Sequence, residues 1–456
     1  MTKRSQVFLL LAALALVFCA GAGVYISSTA ESYAFSSETV YGSRESAAGI
    51  SVERESVLAD HAVWTLVWDC GYGEGTSEGR WNLAVCDTFT LSPRPGVFFS
   101  FENVDRPWTI DTQQPRGAVE RAIASAVLAE YESGGPAETV IDLADYIDTY
   151  RTDVSLSQII DVQSLPPYSA NPFGSSFEVS VPAGSYYTVT PYGPDGQLQL
   201  LLTEAYGAGG AGSDYVFTPE GYMYFSFAVT GADGSHPDGS GLPGGGWSIW
   251  RFPCTAYLAS EESGSRWWLS GQFRAGADTG ALESVCLLPD GWEDVTLDLS
   301  YDGSRLLVFT VERGAVWLTV LDAASGEQTQ RFELFPAAML GGIGVEPCFD
   351  DGAMQCFLTE GRAVFVLGGR AAAALNYADG LYELCFTADA LAGADCGVAY
   401  GLDCVFDGER MAVLTDCGKV LLLNVFSADG LIYGERLSVP DHFGNLTDAT
   451  RIRDVP

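Results

Sequence analysis

Positive charge is scarce in this chain of 456 residues. Lys3 and Lys419 are the only lysines, and the 23 basic residues face 59 acidic ones. The formal net charge of −36 argues against binding to nucleic acid, because phosphate contacts need clustered lysine and arginine. It disfavours anionic lipid headgroups for the same reason. Such a surface favours cationic partners or divalent ions, although charge repulsion that keeps the protein soluble explains it as well.

Signature motifs of several enzyme classes are missing. The sequence contains no H-E-x-x-H zinc helix, no Walker phosphate loop and no S-x-x-K motif. Because the chain has only two lysines, catalysis that uses a lysine as the nucleophile is almost excluded. Paired carboxylates for glycoside hydrolysis stay open, because acidic residues are abundant and their pairing is spatial. The sequence therefore predicts a protein that is not an enzyme.

Histidine is rare, and the cysteines lack the spacing of a zinc site. His61, His236 and His442 are scattered, and there is no C-x-x-C pair. Cys70 and Cys86 flank a glycine-rich hairpin candidate and are the most plausible disulfide in an exported chain. The alternative is that the cysteines serve as small buried hydrophobes, since most lie in apolar runs.

An uncharged apolar run occupies residues 7–26. About twenty such residues span a bilayer as a helix. Lys3 and Arg4 precede the run, so the positive-inside rule places residues 1–6 in the cytoplasm as a basic tail and the rest of the chain outside. We expect a transmembrane helix or signal-anchor, and hence a single-pass protein of the cell membrane. Cleavage of the run as a signal peptide would make the protein secreted.

The remainder reads as one β body with an insertion. Residues 27–56 are rich in Ser, Glu, Ala and Gly and predict a stalk or linker, or else a segment that pairs with the edge of the body. Strand signals then recur over 57–456. Apolar residues at helical spacing over 118–131 predict a helix, and 138–150 could form a second. We interpret both as a helical insertion around 112–150.

Four stretches align on an acidic residue followed by a turn glycine: 215–229, 299–311, 356–368 and 404–416. Glycine adopts the positive φ of a tight turn at low steric cost, so each stretch predicts a hairpin. A repeat of about 50 residues with four short strands per copy is typical of propeller blades. The predicted fold class is all-β: a β-propeller of six to eight four-stranded blades, with a small helical insertion and an N-terminal transmembrane helix. A β-sandwich or two smaller β domains is the alternative.

The stretch LTVLDAASGEQTQRF, residues 318–332, resembles the outer-strand segment of bacterial β-propellers of the quinoprotein-like and related repeat types. The residues that match the pattern are Leu321, Asp322, Ala323, Ser325 and Gly326. The residues that follow depart from the usual segment, which ends in tryptophan. The resemblance implies a membrane-anchored bacterial propeller, without quinone chemistry.

A loop at 230–247 is the candidate metal site. Asp233, Ser235, His236 and Asp238 could gather oxygen ligands for Ca²⁺. The loop lacks the complete spacing and the distal glutamate of a calcium-binding loop, so an ordinary surface loop explains it equally well. Calcium is the only cofactor that the sequence suggests.

Tryptophan residues are the candidate binding residues. Trp267 and Trp268 are adjacent and would point to opposite faces of a strand, and Trp250 stands in a similar aromatic stretch. An exposed tryptophan can bind a sugar or the hot spot of a protein partner. Packing between neighbouring sheets is the alternative.

Together these features predict a membrane-anchored, extracytoplasmic β-propeller that acts as a scaffold for an unknown protein or cell-envelope partner, without catalysis and without nucleic acid. Two alternatives stay open. One is a propeller that binds, and even hydrolyses, carbohydrate or cell wall. The other is a passive structural protein of the envelope.

Overall fold

The structure, a computed structural model, describes most of the chain. The described residues are 12–21, 24, 35–58, 62–70, 76–82, 96–103, 109–113, 117–132, 138–145, 148–159, 168–170, 177–181, 184, 186–192, 199–206, 213–218, 222–227, 235–253, 282–347, 349, 354–392, 401–417, 420–438 and 449–454. The chain divides into two compact units. Unit 1 comprises Met1–Phe89 and Met354–Pro456, and unit 2 comprises Thr90–Ala353.

Strands dominate the secondary structure. They are, in chain order, β1 (Ser36–Gly42), β2 (Ile50–Leu58), β3 (Ala62–Asp69), β4 (Thr76–Asn82), β5 (Gly96–Asn103), β6 (Thr109–Asp111), β7 (Thr139–Asp142), β8 (Thr149–Ile159), β9 (Tyr168–Ala170), β10 (Phe177–Ser180), β11 (Tyr186–Tyr192), β12 (Gln199–Tyr206), β13 (Ser213–Phe217), β14 (Tyr222–Phe227), β15 (Ser248–Pro253), β16 (Glu283–Leu287), β17 (Trp292–Leu299), β18 (Arg305–Glu312), β19 (Ala315–Asp322), β20 (Gln328–Phe335), β21 (Met354–Thr359), β22 (Arg362–Leu367), β23 (Ala371–Ala378), β24 (Leu381–Asp389), β25 (Gly401–Phe406), β26 (Met411–Asp416), β27 (Val420–Ser427), β28 (Gly430–Ser438) and β29 (Ala449–Asp454). The helices are α1 (12–21), α2 (Gly117–Glu132) and α3 (Ala337–Ile343), with 3-10 turns at Arg44–Ala47 and Leu143–Asp145.

The strands pair into antiparallel sheets, seven of them in the described residues. In unit 1 the strand orders are β29-β2-β3-β4, β21-β22-β23-β24 and β1-β28-β27-β26-β25. In unit 2 they are β10-β8-β5 with β9 beside β8, β6-β12-β11-β7, β13-β14-β15-β16 and β17-β18-β19-β20. The prediction of an all-β chain built from four-stranded antiparallel sheets is confirmed.

The aligned turn glycines mark the first hairpin of a sheet. The four stretches form the pairs β13–β14, β17–β18, β21–β22 and β25–β26. Gly303, Gly361 and Gly408 have φ angles of 71°, 78° and 105°, a region that side chains other than glycine rarely adopt. The long spacing before Gly303 arises within one sheet, because extra residues separate β14 from β15 and β15 from β16.

Hydrophobic cores lie between successive sheets of each unit. In unit 2, Tyr224 and Ile249 of one sheet pack with Leu306 and Val308 of the next. An aspartate then links the same two sheets by hydrogen bonds. Asp214 on β13 accepts from the Leu297 amide at 2.6 Å and from the Thr296 hydroxyl, both on β17.

Other aspartates in both units also accept hydrogen bonds from backbone amides that lie far away in the sequence. In unit 2, Asp294 on β17 accepts a hydrogen bond from the amide of Phe349, at 2.7 Å. In unit 1, Asp403 on β25 accepts one from the amide of Ile452 on β29, also at 2.7 Å. A buried amide that finds no partner is costly, so these carboxylates stabilise the backbone groups that they accept from. The Asp403 bond joins two sheets, whereas Phe349 lies outside the strands.

The predicted stalk at 27–56 is wrong for residues 36–42 and 50–56, which pair with the β body as the alternative prediction had it. Strand β1 pairs with β28 as the fifth strand of its sheet, and β2 pairs with β3 and with the C-terminal β29. Polar composition led to the stalk, but β1 keeps its polar side chains exposed on an edge strand, which this composition suits.

The predicted helical insertion is half correct. Helix α2 forms where alanine-rich sequence predicted it, and it buries Ile123, Ala124 and Val127. The predicted second helix at 138–150 is wrong, because that stretch holds β7, a 3-10 turn and the start of β8. Strand pairing overrides local propensity here, since β7 joins β11 as an edge strand.

The predicted membrane span at 7–26 lies partly outside the described residues. Among the described residues, no helix combines the length and the apolar character needed to cross a bilayer. Helix α1 covers ten residues of the apolar run, and the side chains of Leu16, Val17 and Phe18 on it are exposed.

The predicted Cys70–Cys86 disulfide is not formed. Cys70 is a free, buried thiol whose sulfur lies 3.2 Å from the Arg44 carbonyl oxygen, and Cys86 lies outside the described residues. Burial raises the pKa of the Cys70 thiol, so it behaves as a small core residue. Cys417, after β26, is disulfide-bonded.

Candidate functional site: a pocket between two loops

The candidate site lies at one end of the sheet β13–β16. In an antiparallel sheet, the β14–β15 connection and the segment that leaves β16 emerge at the same end. Described residues of both segments line a pocket of about 580 Å³, here called the loop pocket. Its lining residues are Ser235–Ser240, Gly245–Trp247 and Leu287–Glu293. This size suits a small ligand or a side chain of a partner.

Two indole groups hold the first loop in place. Trp247 Nε1 donates a hydrogen bond to the Pro237 carbonyl oxygen at 2.8 Å. Trp250 Nε1 donates to the Pro243 carbonyl oxygen, also at 2.8 Å. Each bond satisfies an indole N–H and an irregular backbone carbonyl together, so the loop has a defined path despite its many glycines.

The pocket has an aromatic wall. The His236 ring stacks on Trp292, with ring centroids 3.8 Å apart and an angle of 9° between the planes. Trp247 meets Trp292 edge to face at 6.2 Å. Only 8% of Trp247 and 6% of Trp292 is exposed, so neither indole offers an open face to solvent. The least buried ring of the wall is His236, which is half-buried and whose Nε2 is out of contact with solvent.

Carboxylates supply the charge of the pocket. Asp238, Asp290 and Glu293 line it and are exposed, and no lysine or arginine is among its lining residues. Hydrogen bonds from the Ser240 hydroxyl and amide, at 2.7 Å and 2.9 Å, lower the pKa of Asp238. The pocket is therefore anionic at neutral pH.

Three of the four predicted metal ligands meet here. Ser235, His236 and Asp238 line the loop pocket, and Asp233 lies outside the described residues. Asp238 accepts a hydrogen bond from the Ser240 hydroxyl, and the His236 ring stacks on Trp292. These side chains therefore do not converge on a common point as metal ligands would. Within the described ranges, no three His, Cys, Asp or Glu side chains come together as a group that could hold a metal ion.

Trp250, a candidate binding residue, instead follows the alternative of packing between sheets. Trp250 is fully buried and stacks against Phe227 and Phe225, with ring centroids 4.8 Å and 5.7 Å apart. Its side chain points to the core face of β15, where a large aromatic group fills space between sheets. Trp267 and Trp268 lie outside the described residues.

Asp290, Trp292 and Glu293 were missed in the sequence. Their signal is the Pro-Asp-Gly turn at 289–291, directly before the tryptophan. Gly291 has a φ of 76°, as such a turn requires. What the sequence lacks is any indication that this turn lies beside the 230–247 loop.

One nucleophile motif has the wrong structural context. Residues 75–79, GTSEG, match the G-x-S-x-G pattern. In hydrolases that use this motif, the serine stands on a sharp turn from strand to helix. Here Ser77 lies within strand β4, which pairs with β3, so the motif carries no evidence for a nucleophile.

Comparisons with known proteins give fold resemblance alone. No protein-family model and no curated protein sequence matches the chain. Solved structures that it matches include a periplasmic gluconolactonase of Pseudomonas aeruginosa, with 12% identity and a TM-score of 0.33 over 89% of this chain and 100% of that one. A candidate 6-phosphogluconolactonase of Bacteroides fragilis matches with 9% identity and a TM-score of 0.31, over 89% and 97%. TolB of Acinetobacter baumannii matches with 12% identity and a TM-score of 0.22, over 89% and 82%.

These neighbours correct one prediction. The sequence predicted that the chain is not an enzyme, because familiar catalytic motifs are absent. Proteins with lactonase names are among the structures that it matches, so the prediction is withdrawn. Catalytic residues that come together only in space leave no contiguous motif, and a motif search overlooks them.

Proposed function

We propose that this chain is an extracytoplasmic β-propeller, anchored in the membrane by its N-terminus, which serves as a scaffold for a protein partner. The observation that carries the proposal is the loop pocket, a concave surface of about 580 Å³ built from two connections at one end of a sheet. Loops held by a rigid sheet are where binding sites concentrate.

Strand pairing between the chain ends supports the propeller. Blades of a propeller are four-stranded antiparallel sheets, and the ring closes when both chain ends contribute to one blade. Strand β29 lies beside β2, with Val52 opposite Ile452. The described residues form seven sheets, within the predicted range of six to eight.

Two observations support the location. The apolar run at 7–26 follows Lys3 and Arg4, and the described part of its helix leaves apolar side chains exposed. Cys417 is disulfide-bonded, and disulfides persist in oxidising compartments outside the cytoplasm. Both features fit a body that lies beyond the membrane.

Affinity capture tests the scaffold. The full chain is cross-linked in native membranes and its partners are identified by mass spectrometry, with Leu287→Trp as the variant that narrows the pocket and Leu381→Trp as its control. Leu287 lines the pocket and is 58% exposed, whereas Leu381 is 50% exposed and does not line it. We expect a partner that the control retains and the pocket variant loses. Failure to enrich any partner over a charge-matched bait would contradict the proposal.

Carbohydrate binding is the second candidate, favoured by Asp238, Asp290 and Glu293, exposed carboxylates of the pocket that can accept hydrogen bonds from sugar hydroxyls. A glycan array with the wild type and Leu287→Trp tests it. Binding that the pocket variant loses would favour a carbohydrate ligand over a protein partner. The same preparation is assayed for hydrolysis of gluconolactone, and turnover lost in the variant would make the pocket a catalytic site.

A further inference from the structure

We infer that the loop pocket recognises a guanidinium group, the side chain of an arginine on the partner. This inference rests on the proposed function and specifies the chemistry of the partner. It follows from three properties of the pocket: its charge, the kind of aromatic surface that it leaves open, and the field of the whole chain.

Charge is the first property. Asp238, Asp290 and Glu293 line the pocket, and among the described residues of its lining His236 is the only basic side chain. A concave surface lined by one sign of charge focuses the field and concentrates ligands of the opposite sign. Carboxylates bind a guanidinium through paired N–H···O bonds, which add geometric specificity to the attraction.

The aromatic surface is the second property. A sugar ring needs an open indole face, but Trp247 and Trp292 are 92–94% buried by each other and by their surroundings. The least buried ring is His236, which is half-buried and has one face covered by Trp292 at 3.8 Å. A planar guanidinium stacks on a planar ring while its edge binds carboxylates, which an ammonium group cannot do. The pocket therefore favours arginine over lysine, and either over a neutral sugar.

The electrostatic field of the whole chain is the third property. A net charge of −36 attracts a basic partner over long range and repels other acidic proteins. Long-range attraction acts on the rate of association and is screened by salt, whereas a paired contact within the pocket is screened less. The two contributions can therefore be separated by experiment.

Peptide titration tests the inference. The full chain in detergent is titrated with a short peptide that contains two arginines, with the same peptide carrying lysines, and with one carrying citrulline, the neutral isostere of arginine. Tryptophan fluorescence and calorimetry report binding. We expect the arginine peptide to bind at least about tenfold more tightly than the citrulline peptide, with lysine between them.

Two variants of equal charge change locate the site. The pocket variant combines Asp238→Asn, Asp290→Asn and Glu293→Gln, and the control combines Glu327→Gln, Glu360→Gln and Glu409→Gln, all exposed and outside the pocket. Circular dichroism confirms that both are folded. We expect the pocket variant to lose about tenfold in affinity for the arginine peptide and the control less than about twofold.

Equal binding of the arginine and citrulline peptides would overturn the inference. Equal losses in the two variants would also overturn it, because net charge alone would then explain the binding. Capture of a partner that depends on the pocket, without arginine preference, leaves the scaffold proposal intact while the inference fails. Arginine-specific binding with no captured partner would contradict the scaffold proposal and support the inference that the loop pocket recognises arginine.

Discussion

Arg44 donates a hydrogen bond to Glu435 across 391 positions of sequence, with 3.0 Å between the guanidinium nitrogen and Oε1. The Glu435 side chain is fully buried on β28, and its Oε2 accepts from Thr39 of β1 at 2.7 Å and from the Tyr433 hydroxyl at 2.6 Å. A buried carboxylate is tolerated only when it is paired and hydrogen-bonded. Strand β1, through Thr39, and the 3-10 turn that follows it, through Arg44, therefore supply two of the groups that stabilise a charge within unit 1.

Removal of the guanidinium is expected to destabilise unit 1. Arg44→Met leaves the Glu435 carboxylate buried without its counter-charge, and we expect a loss of about 2–3 kcal/mol in the free energy of unfolding, measured in urea. Glu435→Gln combined with Arg44→Met should recover part of that loss, because no buried charge remains.

A second arginine provides the control for this experiment. Arg370 pairs with Asp389 at 2.8 Å, and both side chains are partly exposed, at 38% and 22%. Arg370→Met should cost less than about 1 kcal/mol, since solvent screens such a pair. Equal effects of the two substitutions would contradict the role assigned to burial.

Asp214 is expected to hold two sheets of unit 2 together. Its carboxylate accepts from the Thr296 hydroxyl and the Leu297 amide of the neighbouring sheet, and burial raises its pKa even though these bonds oppose the shift. Asp214→Ala removes both acceptors and should cost about 2 kcal/mol in stability.

The Asp214 prediction has a control in the turn that follows β17. Asp302 is exposed and accepts hydrogen bonds from the Ser300 hydroxyl at 2.6 Å and the Ser304 amide at 3.1 Å, both in its own turn. Asp302→Ala should cost less in urea unfolding than Asp214→Ala. The reverse order would show that the link between the sheets contributes little.

Asp322 should make stability depend on acid pH. Hydrogen bonds from the Ser325 amide lower its pKa, against burial, with the Ser325 hydroxyl and Arg305 adding to the shift. A lowered folded pKa means that the carboxylate stabilises the fold above the unfolded value of about 3.9, and that this contribution is lost as pH falls through the folded value.

Asp322→Asn tests this dependence. We expect the variant to be less stable than the wild type at neutral pH, with the difference shrinking below about pH 4 as the wild-type carboxylate is protonated. Thermal unfolding at a series of pH values measures it. A difference that stays constant from pH 3 to pH 7 would contradict the assignment.

Cys70 should resist alkylation in the folded chain. It is 6% exposed and burial raises the pKa of its thiol, so both access and the thiolate fraction are low. Peptide-resolved mass spectrometry after maleimide treatment should find Cys70 unlabelled in native protein and labelled in guanidinium chloride. Rapid labelling under native conditions would show that the thiol is reachable.

Local features of the sequence predicted the hairpins well. The turns at Gly303, Gly361 and Gly408 all lie where the aligned pattern places them, since a positive φ and flanking apolar runs are local requirements. The same local analysis failed for 138–150 and for part of 27–56. Strands β7 and β1 in those stretches are edge strands, and an edge strand is defined by its neighbour rather than by its own pattern.

The candidate site was predictable only in part. The loop at 230–247 drew attention through Asp238 and His236, which do line the pocket. The sequence predicted a calcium site in this loop, whereas the structure shows His236 stacked on Trp292. That contact was not predictable locally, because Trp292 lies 56 positions later in the sequence. Likewise, nothing in the sequence of Trp250 distinguishes a buried side chain from an exposed one.

The sequence by itself determined the all-β class, the turn positions, helix α2 and the acidic surface, because each depends on composition or on neighbours within a few residues. The tertiary structure decided which strands pair, as β29 does with β2, which tryptophans are buried, and which two loops share one pocket. The physical reason is that pairing and burial come from contacts between distant parts of the chain. The local sequence of a strand is compatible with several pairing registers and does not select one of them.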